Sequence, residues 1–235
     1  MHRSIISLFT LWLSLVVASP DAQTQGTMST ASTGSVTGHV KLRPNKIRGT
    51  ALPSAAYPTR AVGRHDGPAI PEIGNVVVYL KDVAFRGALP ARRSEVRQEN
   101  ETFVPHTLAI ARGSTVDFPN ADPFFHNVFS LSSAANFNLG RYPRGDSRQQ
   151  TFARPGIVKV FCQIHSHMSA TILVFDHPYF SKPDANGTYE LPNLPPGDYT
   201  LVGWHERIGE RTSAVRVQAG QATRVDLSLP VEDTP

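Results

Sequence analysis

Cysteine is nearly absent: Cys162 is the only one in 235 residues. A single thiol excludes an intramolecular disulfide, a Cys-rich zinc module and any copper site needing two thiolates. Charge is also sparse, at 18% of residues, and nearly balanced, with Lys+Arg 23 against Asp+Glu 19. A net charge of +4 gives no argument for nucleic acid as a partner. Beyond Ala18 there is no apolar run long enough to cross a bilayer, and no stretch where apolar residues hold a period of 3.6 over about a dozen positions. What is plentiful is turn chemistry, with Gly 17 and Pro 19. The hydrophobic share of 40% is near the globular average, which argues against wholesale disorder. The length suits one large domain or two small ones.

The first residues read as a targeting segment. Met1-His2-Arg3 is a short positive start, Ile5–Ala18 is apolar apart from Ser and Thr, and small residues follow at Ala18, Ser19 and Ala22. This pattern predicts a secretory signal peptide over residues 1–22, too short for a stable span, and hence a periplasmic or secreted protein with no membrane span after cleavage. Residues 23–34 continue as a polar Ser/Thr/Gln/Gly tether. From Arg43 to Gly74 five prolines and no periodicity predict an irregular loop, whose basic residues Lys46, Arg48, Arg60 and Arg64 read as a solvated face.

The rest reads as β. Strand-like pieces recur at Val36–Leu42, Val76–Leu80, Thr107–Ile110, Thr115–Phe118, His126–Ser130, Ile157–Phe161, Ala170–Phe175, Tyr189–Leu191, Tyr199–Trp204, Ala214–Val217 and Val225–Leu229. Short strands separated by Gly, Pro and Asn/Asp turns predict an all-β architecture of sandwiches or barrels.

The chemistry is concentrated between Phe103 and Phe175. Val158, Val160 and Cys162 share one face of a strand, which places Cys162 at its inner end. The chain must then turn, so that His165 and Met168 can point back toward the same spot. His126, from another strand, completes a set of one thiolate, two imidazoles and a thioether, the ligand set of a mononuclear blue-copper electron-transfer site. The plain alternatives are a surface histidine at His165 and a core filler at Met168. Against them, the only cysteine is followed at three residues by a histidine and at six by one of the two methionines outside the leader. Trp204-His205-Glu206 reads as an aromatic at a strand end with exposed polar neighbours. His39, His65, His106 and His177 each stand apart from any Cys, Asp or Glu at ligand spacing.

The series Phe103-x-Pro105, Leu108-x-Ile110, Gly113, Val116-x-Phe118-x-Asn120, His126-Asn127 and Cys162-x-x-His165-x-x-Met168 resembles the cupredoxins of the plastocyanin, pseudoazurin and amicyanin kind, over residues 94–176. The resemblance implies a Greek-key sandwich with copper near one end. His126, Cys162 and His165 would be its equatorial ligands and Met168 the axial one, with Asn127 tying the two ligand loops together. Many relatives with this short loop carry proline after the second histidine. Here Ser166 follows, then His167, which implies a less rigid loop.

A second resemblance is to the carboxypeptidase regulatory-like (transthyretin-like) sandwich. It is carried by Asp184-x-Asn186-Gly187-x-Tyr189-x-Leu191, Leu194-Pro195-Pro196-Gly197-x-Tyr199-x-Leu201, Gly220 and Val225-x-Leu227. The opening Gly34-x-Val36-x-Gly38-x-Val40 of that pattern lies far upstream, and Asn75–Leu80 resembles its second strand. The expectation is one sandwich split between residues 35–93 and 177–230, with the copper domain inserted between its halves. Two-module exported proteins of this kind are similar to those labelled plastocyanin-like or methylamine-utilisation proteins. The chain is thus expected to be an electron carrier rather than an enzyme, holding one mononuclear copper and meeting a redox partner protein. Copper binding or delivery without electron shuttling is the alternative.

Overall fold

The computed structural model describes residues 32–44 and 72–231. The expected signal peptide, most of the tether and the proline-rich stretch 45–71 lie outside the described residues. Among the described residues the chain is all-β, with a single short 3-10 turn at Glu72–Asn75 and no helix long and apolar enough to cross a membrane.

In chain order the strands are β1 (Gly34–Pro44), β2 (Val77–Lys81), β3 (Arg93–Glu95), β4 (Arg97–Glu99), β5 (Thr102–Val104), β6 (Thr107–Ala111), β7 (Thr115–Pro119), β8 (His126–Ser132) and β9 (Ala135–Tyr142). They continue as β10 (Ser147–Thr151), β11 (Gly156–Phe161), β12 (Ser169–Phe175), β13 (Phe180–Ser181), β14 (Thr188–Leu194), β15 (Gly197–His205), β16 (Gly209–Val217), β17 (Ala222–Arg224) and β18 (Leu227–Val231). Four main sheets result, ordered β10-β7-β3, β6-β12-β11-β8-β9, β13-β2-β15-β16, and β14-β1-β17 with β18 also on β1. A separate hairpin joins β4 to β5.

Alternation of side chains assigns each strand face to a core. Val116 and Phe118 of β7 meet Val128 of β8, Val158 and Val160 of β11 and Ile172 of β12 in the first core. Val36 of β1, Leu191 of β14, Val78 and Leu80 of β2 and Leu201 of β15 form the second. A third, smaller cluster joins the two sandwiches: Leu173 and Phe175 of β12 pack on Val77 of β2 and on Val202 and Trp204 of β15. β12 is therefore buried on both faces, which explains why Ala-Thr-Ile-Leu-Val-Phe shows no polar alternation.

β1 pairs with β14, β17 and β18, and β2 pairs with β13 and β15. The early and late parts of the chain are woven into the same two sheets. Gly38 is required at this weave: a Cβ there would lie 1.7 Å from the Val225 carbonyl oxygen, where β1 is pressed between neighbours on both sides.

Several strands carry no periodic signal. β10 is Ser-Arg-Gln-Gln-Thr, an edge strand held by backbone pairing to β7 rather than by apolar alternation. β3, β4 and β5 are three residues each, too short for a pattern. The strand expected at Val225–Leu229 begins only at Leu227, as β18, with Val225 and Asp226 separating it from the short β17.

The plain reading of Trp204-His205-Glu206 and of His106 does not hold. Trp204 and His205 are buried, at 5% and 1% exposure. Glu206 is not a free polar neighbour: its carboxylate meets His106 Nε2 at 2.5 Å and takes a hydrogen bond from Lys159 of β11, whose ammonium also reaches Thr171 Oγ1 at 3.0 Å. These residues come from opposite sandwiches and are 100 and 47 positions apart in sequence, so no ligand-spacing rule finds them. His177 is also buried, stacked on Tyr179, and burial lowers its pKa.

The contacts with His106 and Lys159 outweigh the burial of Glu206 and bring its pKa from 4.5 to about 2. A carboxylate depressed in this way adds stability above its unfolded pKa and loses it as the pH falls toward the folded one. Glu206→Gln is expected to cost on the order of 2–3 kcal/mol at neutral pH. The gap to the parent protein should close between about pH 4.5 and 2. Denaturant titrations of both proteins across that range check this, and a gap independent of pH contradicts it.

Candidate metal centre

Three donors from two strand ends converge. β8 runs antiparallel to β11, with Phe129 opposite Phe161, so the start of β8 and the end of β11 lie at the same end of the sheet. His126 opens β8 and Cys162 follows β11. The loop after Cys162 folds back at once: Cys162 N–H donates to the Met168 carbonyl at 3.3 Å, and Met168 N–H to the His165 carbonyl at 3.0 Å. His126 Nδ1 and His165 Nδ1 each lie 3.8 Å from Cys162 Sγ and 3.1 Å from one another. Among the described residues this is the one group of three His, Cys, Asp or Glu donors close enough to hold a metal ion.

The spacing fits a single ion. Nitrogen and thiolate donors about 2.0–2.3 Å from a common metal stand between three and four ångströms apart when arranged around it. His126 and Cys162 are buried at 0% and 3% exposure, while His165 is half-buried. Met168 is buried at 1% in the first core, closing the loop. His167 points elsewhere, toward Glu101, with Nε2 3.2 Å from Oε2.

The surroundings fix these side chains. Asn127 accepts the Gln163 N–H at 3.3 Å and donates to Asn138 Oδ1 at 2.8 Å and to the Gly140 carbonyl at 3.1 Å, which links the start of β8 to the Cys162 loop and to β9. A residue without a sequence signal, Asp122, lies on the far side of His126, its carboxylate 2.7 Å from Nε2. Asn120 holds the loop carrying it, accepting the Asp122 N–H at 2.9 Å and donating to the Phe124 and Tyr142 carbonyls. The ring of Phe124 lies against both imidazoles, with centroids 5.2 Å and 5.4 Å away. Asp122 is four residues before His126, but a carboxylate at that distance on a loop carries no periodic meaning.

The charges are mutually supporting. Burial pushes the Cys162 thiol up, but His126 and the N–H groups of Asn127, His165 and Ile164 outweigh it and bring the pKa from 9.0 to about 6. Burial also works against a charge on His126, yet its bonds to Cys162 and Asp122 raise its pKa. For Asp122, burial is outweighed by the Glu101 N–H, His126 and the Asn100 N–H, and its pKa is lowered. The arrangement favours a thiolate at Cys162 at neutral pH, the form in which cysteine sulfur binds metal.

Comparison with known proteins matches residues 168–230 to the carboxypeptidase regulatory-like domain. The match opens at Met168, ahead of the turn motif at Asp184, and does not reach β1 or β2, which the fold adds to the same sheets. No curated protein matches the chain. Among solved structures, a purple cupredoxin from Nitrosopumilus maritimus is similar at 22% identity and a TM-score of 0.32, over 35% of this chain and 99% of that one. A reduced amicyanin variant is similar at 20% identity and 0.33, over 37% and 83%. A copper-containing nitrite reductase from Thermus scotoductus is similar at 24% identity and 0.35, over 47% of this chain and 28% of that one.

In the metal-free protein the thiolate of Cys162 is expected to titrate near pH 6 rather than 9. Ultraviolet thiolate absorbance followed against pH, with Cys162→Ser as the blank, measures this. A midpoint at or above 9 would contradict the contacts described.

Proposed function

We propose that this protein is an exported electron carrier that holds one mononuclear copper ion through His126, Cys162 and His165, with Met168 as a weak fourth donor. The observation that carries the reading is the convergence of one thiol sulfur and two imidazole Nδ1 atoms within 3.8 Å of each other at buried strand ends. Thiolate favours Cu(I), imidazole suits both copper states, and a copper ion bound there would supply one-electron chemistry. The residues themselves supply rigidity. His126 is held at both ring nitrogens, and Asn127 ties its strand to the Cys162 loop, so the donor set is fixed before and after an electron passes.

Burial supports electron transfer over copper delivery. His126, Cys162 and Met168 are closed off in the core, whereas ion transfer to an acceptor protein needs ligands that exchange. His165 alone of these four is half-exposed; the Phe124 ring (38% exposed) lies against it, and the exposed apolar side chains of Phe125 (55%) and Ile164 (40%) are the chain neighbours of Phe124 and His165. Arg141 and Arg144 are exposed at the same end, beside Asn127 and the Asn120 loop. A redox partner with an acidic rim around an apolar contact fits that face, with His165 as the route for the electron.

Protein reconstituted with Cu(II) is expected to give the intense visible absorption and electron paramagnetic resonance spectrum of a thiolate-bound copper. Cys162→Ser should abolish both, and a surviving colour overturns the assignment. Met168→Leu should keep copper and colour while raising the midpoint potential, because a donor to Cu(II) is lost. An unchanged potential removes Met168 from the ligand set. Rapid copper transfer to an acceptor without reversible redox cycling would favour delivery instead.

A further inference from the structure

The β4–β5 hairpin turns through two residues, Asn100 and Glu101, between the paired Glu99 and Thr102. Both lie in the left-handed region, at φ 53° and 52°. A two-residue hairpin loop of type I′ demands this of both central positions, and asparagine tolerates it, but glutamate does so reluctantly. The turn is held in that shape by contacts that lead to the metal centre. Its two backbone N–H groups point at one carboxylate: Asn100 donates to Asp122 Oδ1 at 2.7 Å and Glu101 to Asp122 Oδ2 at 2.9 Å. Asp122 Oδ2 is in turn 2.7 Å from His126 Nε2, while His126 Nδ1 faces Cys162.

The same turn has a second arm. The Glu101 carboxylate lies 3.2 Å from His167 Nε2, inside the loop between Cys162 and Met168. That loop exposes Gln163, Ile164, Ser166 and His167. The backbone bonds that close it are Cys162 to Met168 and Met168 to His165. Glu101 therefore grips it from outside, two residues beyond His165.

We infer that the Asn100–Glu101 turn is a brace that positions both halves of the metal centre at once: its backbone holds Asp122 against His126, and its side chain holds His167 and the loop that carries His165. The inference rests on the copper reading and assigns a role to residues that touch no metal-facing atom. The two arms differ in weight. Asp122 is 5% exposed, so its bonds operate away from water, and its negative charge one imidazole from the ion favours Cu(II) over Cu(I). The Glu101–His167 contact is about one-third exposed and contributes far less.

The test uses the full chain. Asp122→Asn keeps the shape but removes the charge, and is expected to weaken copper binding about 10–100-fold and to raise the midpoint potential. Asn100→Val, which resists positive φ, should displace both N–H groups and move affinity and potential in the same direction, whereas Asn100→Gly should leave them as they are. Glu101→Ala should speed copper release at most about fivefold, with Glu101→Gln in between. In the metal-free protein, the His126 Nε2–H resonance should be protected from exchange, and lost from protection in Asn100→Val. Unchanged affinity, potential and exchange in Asp122→Asn and Asn100→Val overturn the brace. If the parent protein itself binds no copper through thiolate, the copper reading fails, and the exchange measurement on His126 still decides whether the turn positions its ring.

Discussion

A buried thiolate persists only where N–H donors and positive partners face it, and that requirement organises one end of the molecule. Cys162 follows the last residue of β11, at the sheet end where β8 begins, and both His126 and the loop backbone turn their donors toward its sulfur. Satisfying the sulfur brings the two Nδ1 atoms together as well. The pocket that stabilises the anion and the pocket that fits a metal are the same pocket.

Support for it comes from layers of structure at increasing distance. Asn127 and Asn120 lock the loops on either side of His126, and Asp122 holds its far nitrogen. Tyr142 caps the same region from β9, donating to the Phe118 carbonyl and receiving a bond from the buried Gln98. Such buried polar groups are costly when unpaired, and the bonds they make here narrow the positions the surrounding loops can occupy. Rigidity of this kind keeps the His126, Cys162 and His165 donor atoms at fixed spacing.

The second sandwich is joined to the first by more than a linker. Leu173 and Phe175 give β12 a second buried face against Trp204 and Val202, and Glu206 meets Lys159 and His106 at the edge of that contact. Lys159 stands on β11, three residues before Cys162, so the strand that ends in the thiolate is also gripped from the neighbouring sandwich.

The all-β class, the longer strands and the convergence of His126, Cys162 and His165 were legible in the sequence, because period-two alternation and the Cys-x-x-His-x-x-Met spacing act over a few residues. The short or polar strands β3, β4, β5 and β10 were not, since three residues or a run of polar ones show no alternation. Asp122, the Asn100–Glu101 turn and the Glu206 cluster were equally silent. Their partners lie between 4 and 100 residues away, and their meaning arises only when sheets bring separate loops side by side. Local spacing determines which atoms are available to bind; stacking of the sheets decides which carboxylates and N–H groups hold those atoms still.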